Sequence, residues 1–150
     1  MLTAQLAFVV QKHNATRLHY DFRLEVGGVM PSWAIPKGPS MDPGVKRLAM
    51  KVPDHDLEYR KFEGVIPEGQ YGAGTVEIWD EGHYYPQIEE TKNVRREIKD
   101  IKEAEKIMRH GLEKGEIKFK LYGKKLTGSF ALVKTRGFGG RENSWLLIKH

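Results

Sequence analysis

The densest chemistry in the chain lies in QKHNATRLHYDFRLEV, residues 11–26. In an extended strand, successive side chains point to opposite faces. His19, Asp21, Arg23 and Glu25 then share one face, and Leu18, Tyr20, Phe22, Leu24 and Val26 share the other, a core face. His13 lies upstream, where a small loop could fold it back beside His19. Two imidazoles and one carboxylate form a mixed N/O ligand set that suits manganese, iron or zinc better than calcium or magnesium. A guanidinium cannot ligate a metal, but the planar fork of Arg23 can grip phosphate. A metal beside a phosphate clamp points to phosphoryl chemistry. Taken alone, this strand is also explained by a solvated polar face with Asp21–Arg23 as a surface pair.

Residues 52–74, VPDHDLEYRKFEGVIPEGQYGAG, add His55 and Tyr59. His55 follows a strand end, a common place for functional residues, and could act as a metal ligand or as a general acid near a leaving oxygen. Gly64, Gly69, Gly72 and Gly74 could cradle a phosphate with backbone N–H groups, although turn geometry explains them more simply. No nucleotide-binding GxxxxGK[ST] pattern occurs. Lys37 and Arg47 could add positive charge to an anion site. His83, His110 and His150 have no comparable context.

These residues need a scaffold of strands. Runs 18–26, 29–36, 47–52, 62–69, 116–123, 129–135 and 144–150 read as short strands between Gly and Pro turns, and 74–86 as a strand, a turn and a strand end. That spacing predicts a mainly β fold, a small closed or partly open β-barrel. The exception is a helix predicted around 94–112, where apolar residues recur at 94, 98, 101, 104, 107, 108 and 112, with a break near Asp100 and a stop at Gly111 or Gly115.

Composition sets the outer limits. The 150 residues make one domain with one hydrophobic core. A hydrophobic fraction of 39% and a charged fraction of 30% exclude a disordered chain. The absence of cysteine excludes disulfides, thiolate zinc sites and a cysteine nucleophile, and is compatible with a cytoplasmic setting. No apolar run approaches the roughly 20 residues that cross a bilayer, and the N-terminus lacks a secretory pattern. Residues 1–85 carry 9 Lys/Arg and 11 Asp/Glu, a balance of −2, whereas residues 86–150 carry 16 and 9, a balance of +7. Such asymmetry fits a polyanionic partner as well as a solvated basic surface.

Together, QKHNATRLHYDFRLEVGGVMPSWAIPKGPS, DHDLEYRKFEGVIPEGQYGAG and the terminal SWLLIK resemble the 3′-phosphoesterase domain of bacterial ATP-dependent DNA ligase D, which also exists in standalone archaeal and bacterial versions. The resemblance covers nearly the whole chain and is densest over residues 8–85. It implies a small β-barrel and a Mn-dependent enzyme of DNA repair, nucleoid-associated, that heals primer-template 3′ ends of DNA or RNA-containing strands. Such an enzyme removes a 3′-terminal ribonucleotide and converts the 3′-phosphate to a 3′-hydroxyl, with a separate ligase or polymerase of end joining as partner. By resemblance, His13, His19 and Asp21 are metal ligands and Arg23 binds phosphate. His55 contacts the scissile phosphate, Tyr59 is required for activity, and Gln11, Lys37 and Arg47 support the site. This chain departs from the family at Pro53, where an acidic residue is usual, and at Asp56, where Pro is common. Ligase-fused members have charged residues N-terminal to the motif that assist ribonucleotide removal. This chain starts almost at the motif, so the resemblance carries phosphatase action further than ribonucleotide removal.

Two rival readings come from other classes. His19, Asp21 and His55 have the pattern of a 2-His-1-carboxylate iron oxygenase in a β-barrel. Alternatively, Trp33, Tyr20 and the basic second part could form a non-catalytic nucleic-acid-binding module.

Overall fold

The computed structural model describes residues 5–136 and 143–150. Ten strands form, with the ranges β1 Leu6–Asn14, β2 Leu18–Leu24, β3 Val29–Ile35, β4 Lys46–Asp56, β5 Gly64–Ile66, β6 Gly74–Thr91, β7 Val94–Glu97, β8 Glu116–Tyr122, β9 Thr127–Lys134 and β10 Ser144–Lys149. Eight of them pair antiparallel in the order β1-β2-β3-β4-β10-β9-β8-β6, and β6 pairs back with β1. The sheet therefore closes into a barrel and leaves no free edge in that ring. β5 and β7 are added separately along β6.

Alternation puts Phe8, Val10, Phe22, Leu24, Trp33, Ile35, Phe119, Phe130 and Leu132 inside, each 1% exposed or less. Phe22, Phe119 and Phe130 stack in sequence, with centroids 5.9 and 6.2 Å apart. Tyr84 is fully buried but donates its hydroxyl to the Glu25 carbonyl at 2.6 Å, which satisfies its polar end.

The expected barrel is thus found, with three main differences from the sequence reading and two smaller ones: His55 lies inside β4 rather than after a strand end, and only Gly64–Ile66 of the expected run 62–69 is a strand. β1 was not read as a strand, because Val9 and Val10 are both buried and the run lacks a clean alternation. β6 runs unbroken as a strand through 74–86, where a turn was expected, and its residues Asp80 and Gly82 show why. There Asp80 is buried and accepts N–H groups from Lys124, Lys125 and Leu126, and a Cβ on Gly82 would lie 2.1 Å from the Tyr122 carbonyl.

The third difference is the helix, α1, which spans Ile101–Lys114 rather than 94–112. Residues 94–97 instead pair with β6, and Ile98 extends that ladder through its N–H to the Pro86 carbonyl. Asp100, the expected break, is the N-cap and accepts from the Glu103 N–H at 3.0 Å. Gly115 ends the helix with a φ of 93°. Ala104, Met108 and Gly111 form the buried face of α1.

Candidate metal and phosphate site

β1 and β2 form a hairpin whose register sets His13 directly opposite His19 and Gln11 opposite Asp21. Directly opposed residues share a face. Gln11, His13, His19, Asp21 and Arg23 thus project together from the outer face of the barrel, away from Phe22 and Leu24. Solvent does not reach most of this face. Parts of the segment between β4 and β6, the 3₁₀ turn Leu57–Lys61 with Phe62 and, further on, Gly72, lie across it as a roof. Gln11 is fully buried and donates Nε2 to the carbonyls of Tyr59 at 2.7 Å and Phe62 at 3.2 Å. The loop expected to fold His13 beside His19 is therefore a plain hairpin.

The two imidazoles are oriented by the backbone. His13 Nε2 lies 2.7 Å from the Gly72 carbonyl, and His19 Nδ1 lies 3.1 Å from the Arg17 carbonyl. A carbonyl only accepts, so each of these nitrogens carries the proton. In the neutral ring the remaining nitrogen then has a lone pair. His13 Nδ1 and His19 Nε2 are those nitrogens, at 3.6 and 3.3 Å from Asp21 Oδ2.

Lone pairs aimed at a carboxylate repel it unless a proton or a cation intervenes. The arrangement is that of metal-ligating histidines, each tied by its outer N–H to a carbonyl. The ligand atoms of His13, His19 and Asp21 all lie within 4.8 Å of one another, and the group could hold a metal ion. Without one, a proton takes part of that role. The hydrogen bond to Asp21 raises the His19 pKa above its ordinary value despite burial. Burial opposes ionisation of Asp21, but the hydrogen bond from His19 and the charge of Arg23 outweigh it and hold the carboxyl low.

Arg23 is 3% exposed and its fork is largely engaged. Nε donates to Gln11 Oε1 at 2.6 Å, and Nη1 donates to Ser32 Oγ at 2.9 Å and to His55 Nδ1 at 3.1 Å. Nη2 lies 3.4 Å from Asp21 Oδ2 and makes no other hydrogen bond among the described residues. The guanidinium thus offers one nitrogen, not a free fork, to an incoming anion. Because a guanidinium only donates, His55 Nδ1 accepts and its Nε2 carries the proton. Burial, and then the charge of Arg23, hold the His55 pKa below its ordinary value, so the neutral ring is a hydrogen-bond donor. The Tyr59 ring packs 4.6 Å from the His55 ring and lies 4.9 Å beneath the Arg23 guanidinium.

Seven of the nine residues singled out from the sequence are therefore gathered on one patch: Gln11, His13, His19, Asp21, Arg23, His55 and Tyr59. Lys37 and Arg47 are not. Lys37 is exposed in the turn after β3. Arg47 is half-buried on β4. The register pairs Asp21 with Ala34 and Ala34 with Met50, so Arg47, three residues from Met50, falls on the opposite face of the strand. Of the four glycines, Gly72 and Gly74 pack closely against β1, whereas a Cβ on Gly64 would meet only Phe62 and one on Gly69 would meet nothing within 4 Å. A Cβ on Gly74 would lie 1.9 Å from the Asn14 carbonyl, and one on Gly72 would lie 3.4 Å from His13 Cε1. The oxygenase triad is not assembled either, since His13 rather than His55 completes the ligand group. Ser32 was missed. It is fully buried, and its hydroxyl links Arg23 to the Met30 carbonyl. A lone polar residue inside the apolar run MPSWAI was the available signal.

A closed β-barrel that carries two histidines, a carboxylate and an arginine on a roofed outer face defines a class of candidate metal-assisted phosphoesterase. Residues 11–134 match the family described as DNA Ligase D 3′-phosphoesterase domain, and the chain belongs to that family. It is 48% identical over 147 residues, 98% of its length, to the multifunctional non-homologous end joining protein LigD of Pseudomonas aeruginosa. It is 42% identical over 130 residues, 87% of its length, to the multifunctional non-homologous end joining DNA repair protein LigD of Mycobacterium tuberculosis. Each alignment covers 15% of that relative, so the chain corresponds to a small part of those proteins.

Proposed function

We propose that the protein is a Mn-dependent phosphoesterase that converts 3′-phosphate ends of nucleic acid to 3′-hydroxyls in end-joining repair. The observation that carries this reading is the pair of inward-facing imidazole nitrogens on Asp21, with Arg23 beside the same carboxylate oxygen. The N/O donor set fits manganese. A bound metal would neutralise charge that develops on the phosphate.

The chain's own residues supply the rest. Arg23 presents Nη2 to a non-bridging oxygen, with its charge fixed in place by Gln11 and Ser32. His55 donates its Nε2–H to the phosphate or to the leaving oxygen. The neutral ring stabilises the transition state by a hydrogen bond and needs no prior protonation. Tyr59 holds the His55 and Arg23 planes together. No described residue is placed as a nucleophile, so water attacks. Lys37, exposed in the turn after β3, is proposed to meet the strand beyond the scissile phosphate, and Arg47, on the opposite face of β4, takes no part in this reading.

The test is hydrolysis of 5′-labelled primer-templates that end in a 3′-phosphate or a single 3′-ribonucleotide, each with manganese and with chelator. Manganese-dependent formation of a 3′-hydroxyl on the first is the expected result. Action on the second would extend the reading to ribonucleotide removal. Absence of any conversion by folded, metal-loaded protein would overturn it.

A further inference from the structure

Beside the metal and phosphate cluster, the roof opens into a cleft of about 460 Å³ lined by His55, Asp56, Glu58, Tyr59, Lys61 and Phe62. Its wall is aromatic. Phe62 stacks on Tyr59 with centroids 5.2 Å apart and planes at 17°, and Tyr59 in turn underlies Arg23. The cleft is therefore continuous with the phosphate site through His55 and Tyr59, the side to which a leaving oxygen would depart. We propose that this cleft is a nucleoside subsite that holds the nucleoside bearing the scissile phosphate, its base against the Tyr59–Phe62 wall. The inference rests on the phosphoesterase reading and adds the seat of the leaving group to it.

Three features select this occupant. The volume lies in the range of small-ligand pockets and accepts one nucleoside. The stacked rings offer a π-face that any base can meet, which suits an enzyme of strand ends rather than of one sequence. Asp56, Glu58 and Lys61 line the same cleft, and Glu58 lies 4.0 Å from Lys61, so the lining has no cationic surplus to hold a second phosphate and suits the uncharged part of the nucleotide. Phe62 meets the cluster through its backbone carbonyl, which accepts from Gln11, and through its ring, which stacks on Tyr59. Its side chain has no other assigned task.

The experiment is a double-mutant cycle between Phe62 and the terminal base. Oligonucleotides ending in a 3′-phosphate are made with a normal or an abasic terminal nucleotide. For wild-type protein, loss of the base raises KM by about tenfold, as expected for one base–aromatic stack. Phe62→Ala raises KM for the base-bearing end by a similar factor, leaves the abasic end unchanged, and is rescued by Phe62→Tyr. Phe62→Leu, which keeps the apolar bulk, gives the same pattern should the alanine variant fold poorly. Equal loss on both ends, or no loss on either, would overturn the subsite. The same cycle read by fluorescence anisotropy under chelator needs no turnover. A wild-type enzyme that hydrolyses the abasic end sustains the phosphoesterase reading whatever Phe62 does. Failure to hydrolyse either end sinks that reading, while base-dependent binding still decides the subsite.

Discussion

At Asp21, two imidazoles and a guanidinium converge on one carboxylate oxygen. His19→Ala or Asp21→Ala should abolish metal binding by calorimetry and lower hydrolysis by at least about 10²-fold, with an unchanged circular dichroism spectrum. Acidity acts on this cluster in two opposite ways. The raised His19 pKa means that the metal-free fold is favoured while His19 is protonated, below its unfolded value, and that this contribution disappears as pH rises through the folded value. Metal needs the neutral ring, so its affinity should climb over that same interval. Thermal melts of the metal-free protein should therefore fall, and metal affinity rise, between about pH 6.5 and the folded pKa. A metal-free Tm that rises across that window would contradict the assignment. Ser32→Ala should cost about 1–3 kcal/mol, measured by urea unfolding, because it leaves a buried Arg23 N–H unpartnered. His19, Asp21 and Arg23 are legible in the sequence because a strand has period two, and His13 through its short spacing from His19. Ser32 is not, since its role depends on Arg23 on the neighbouring strand, which only the pairing register reveals.

Elements were legible where one face is apolar and the other wet. Such a pattern marks β8, which alternates buried with half-buried or exposed residues. It fails for β1, whose outer face is roofed and therefore buried as well. It misleads at 94–97, where apolar positions 94 and 98 fit helical spacing but belong to a strand and its extension. Asp80 and Gly82 lie within the stretch expected to contain a turn, yet they serve the long strand β6. The carboxylate ties down residues 124–126 at the next hairpin, and the glycine admits a neighbouring carbonyl. Asp80→Ala should destabilise the protein by about 3 kcal/mol or more, since three N–H groups lose a charged acceptor. Hydrogen exchange should then localise the loss of protection to residues 124–126. In the roof, Gly72→Ala places a side chain at a φ of 77° and against His13. Weaker metal binding in a protein that still melts cooperatively is the expected outcome.

Across the whole molecule, the candidate site and the basic surplus occupy different parts of the sequence. The cluster draws on residues 11–59, within the part of net charge −2, while the +7 balance lies beyond residue 85, spread over β7, α1, the closing strands and the segments between them. Binding to long strands should therefore weaken steeply with salt, while turnover of a short 3′-phosphate oligonucleotide changes little. Equal salt sensitivity for both substrates would argue against a separate electrostatic track.

Closure of the ring also fixes an order of assembly. The β1–β2 hairpin joins residues six apart at His13 and His19, whereas the seam between β1 and β6 joins Leu6 to Tyr84. On a ribosome that adds about 5–20 residues per second, the ligand hairpin emerges several seconds before the strand that seals it. In that interval the β1–β2 hairpin has an open edge along β1 and already carries His13, His19 and Asp21. A divalent ion captured there would stiffen the hairpin while its last neighbour is still being made.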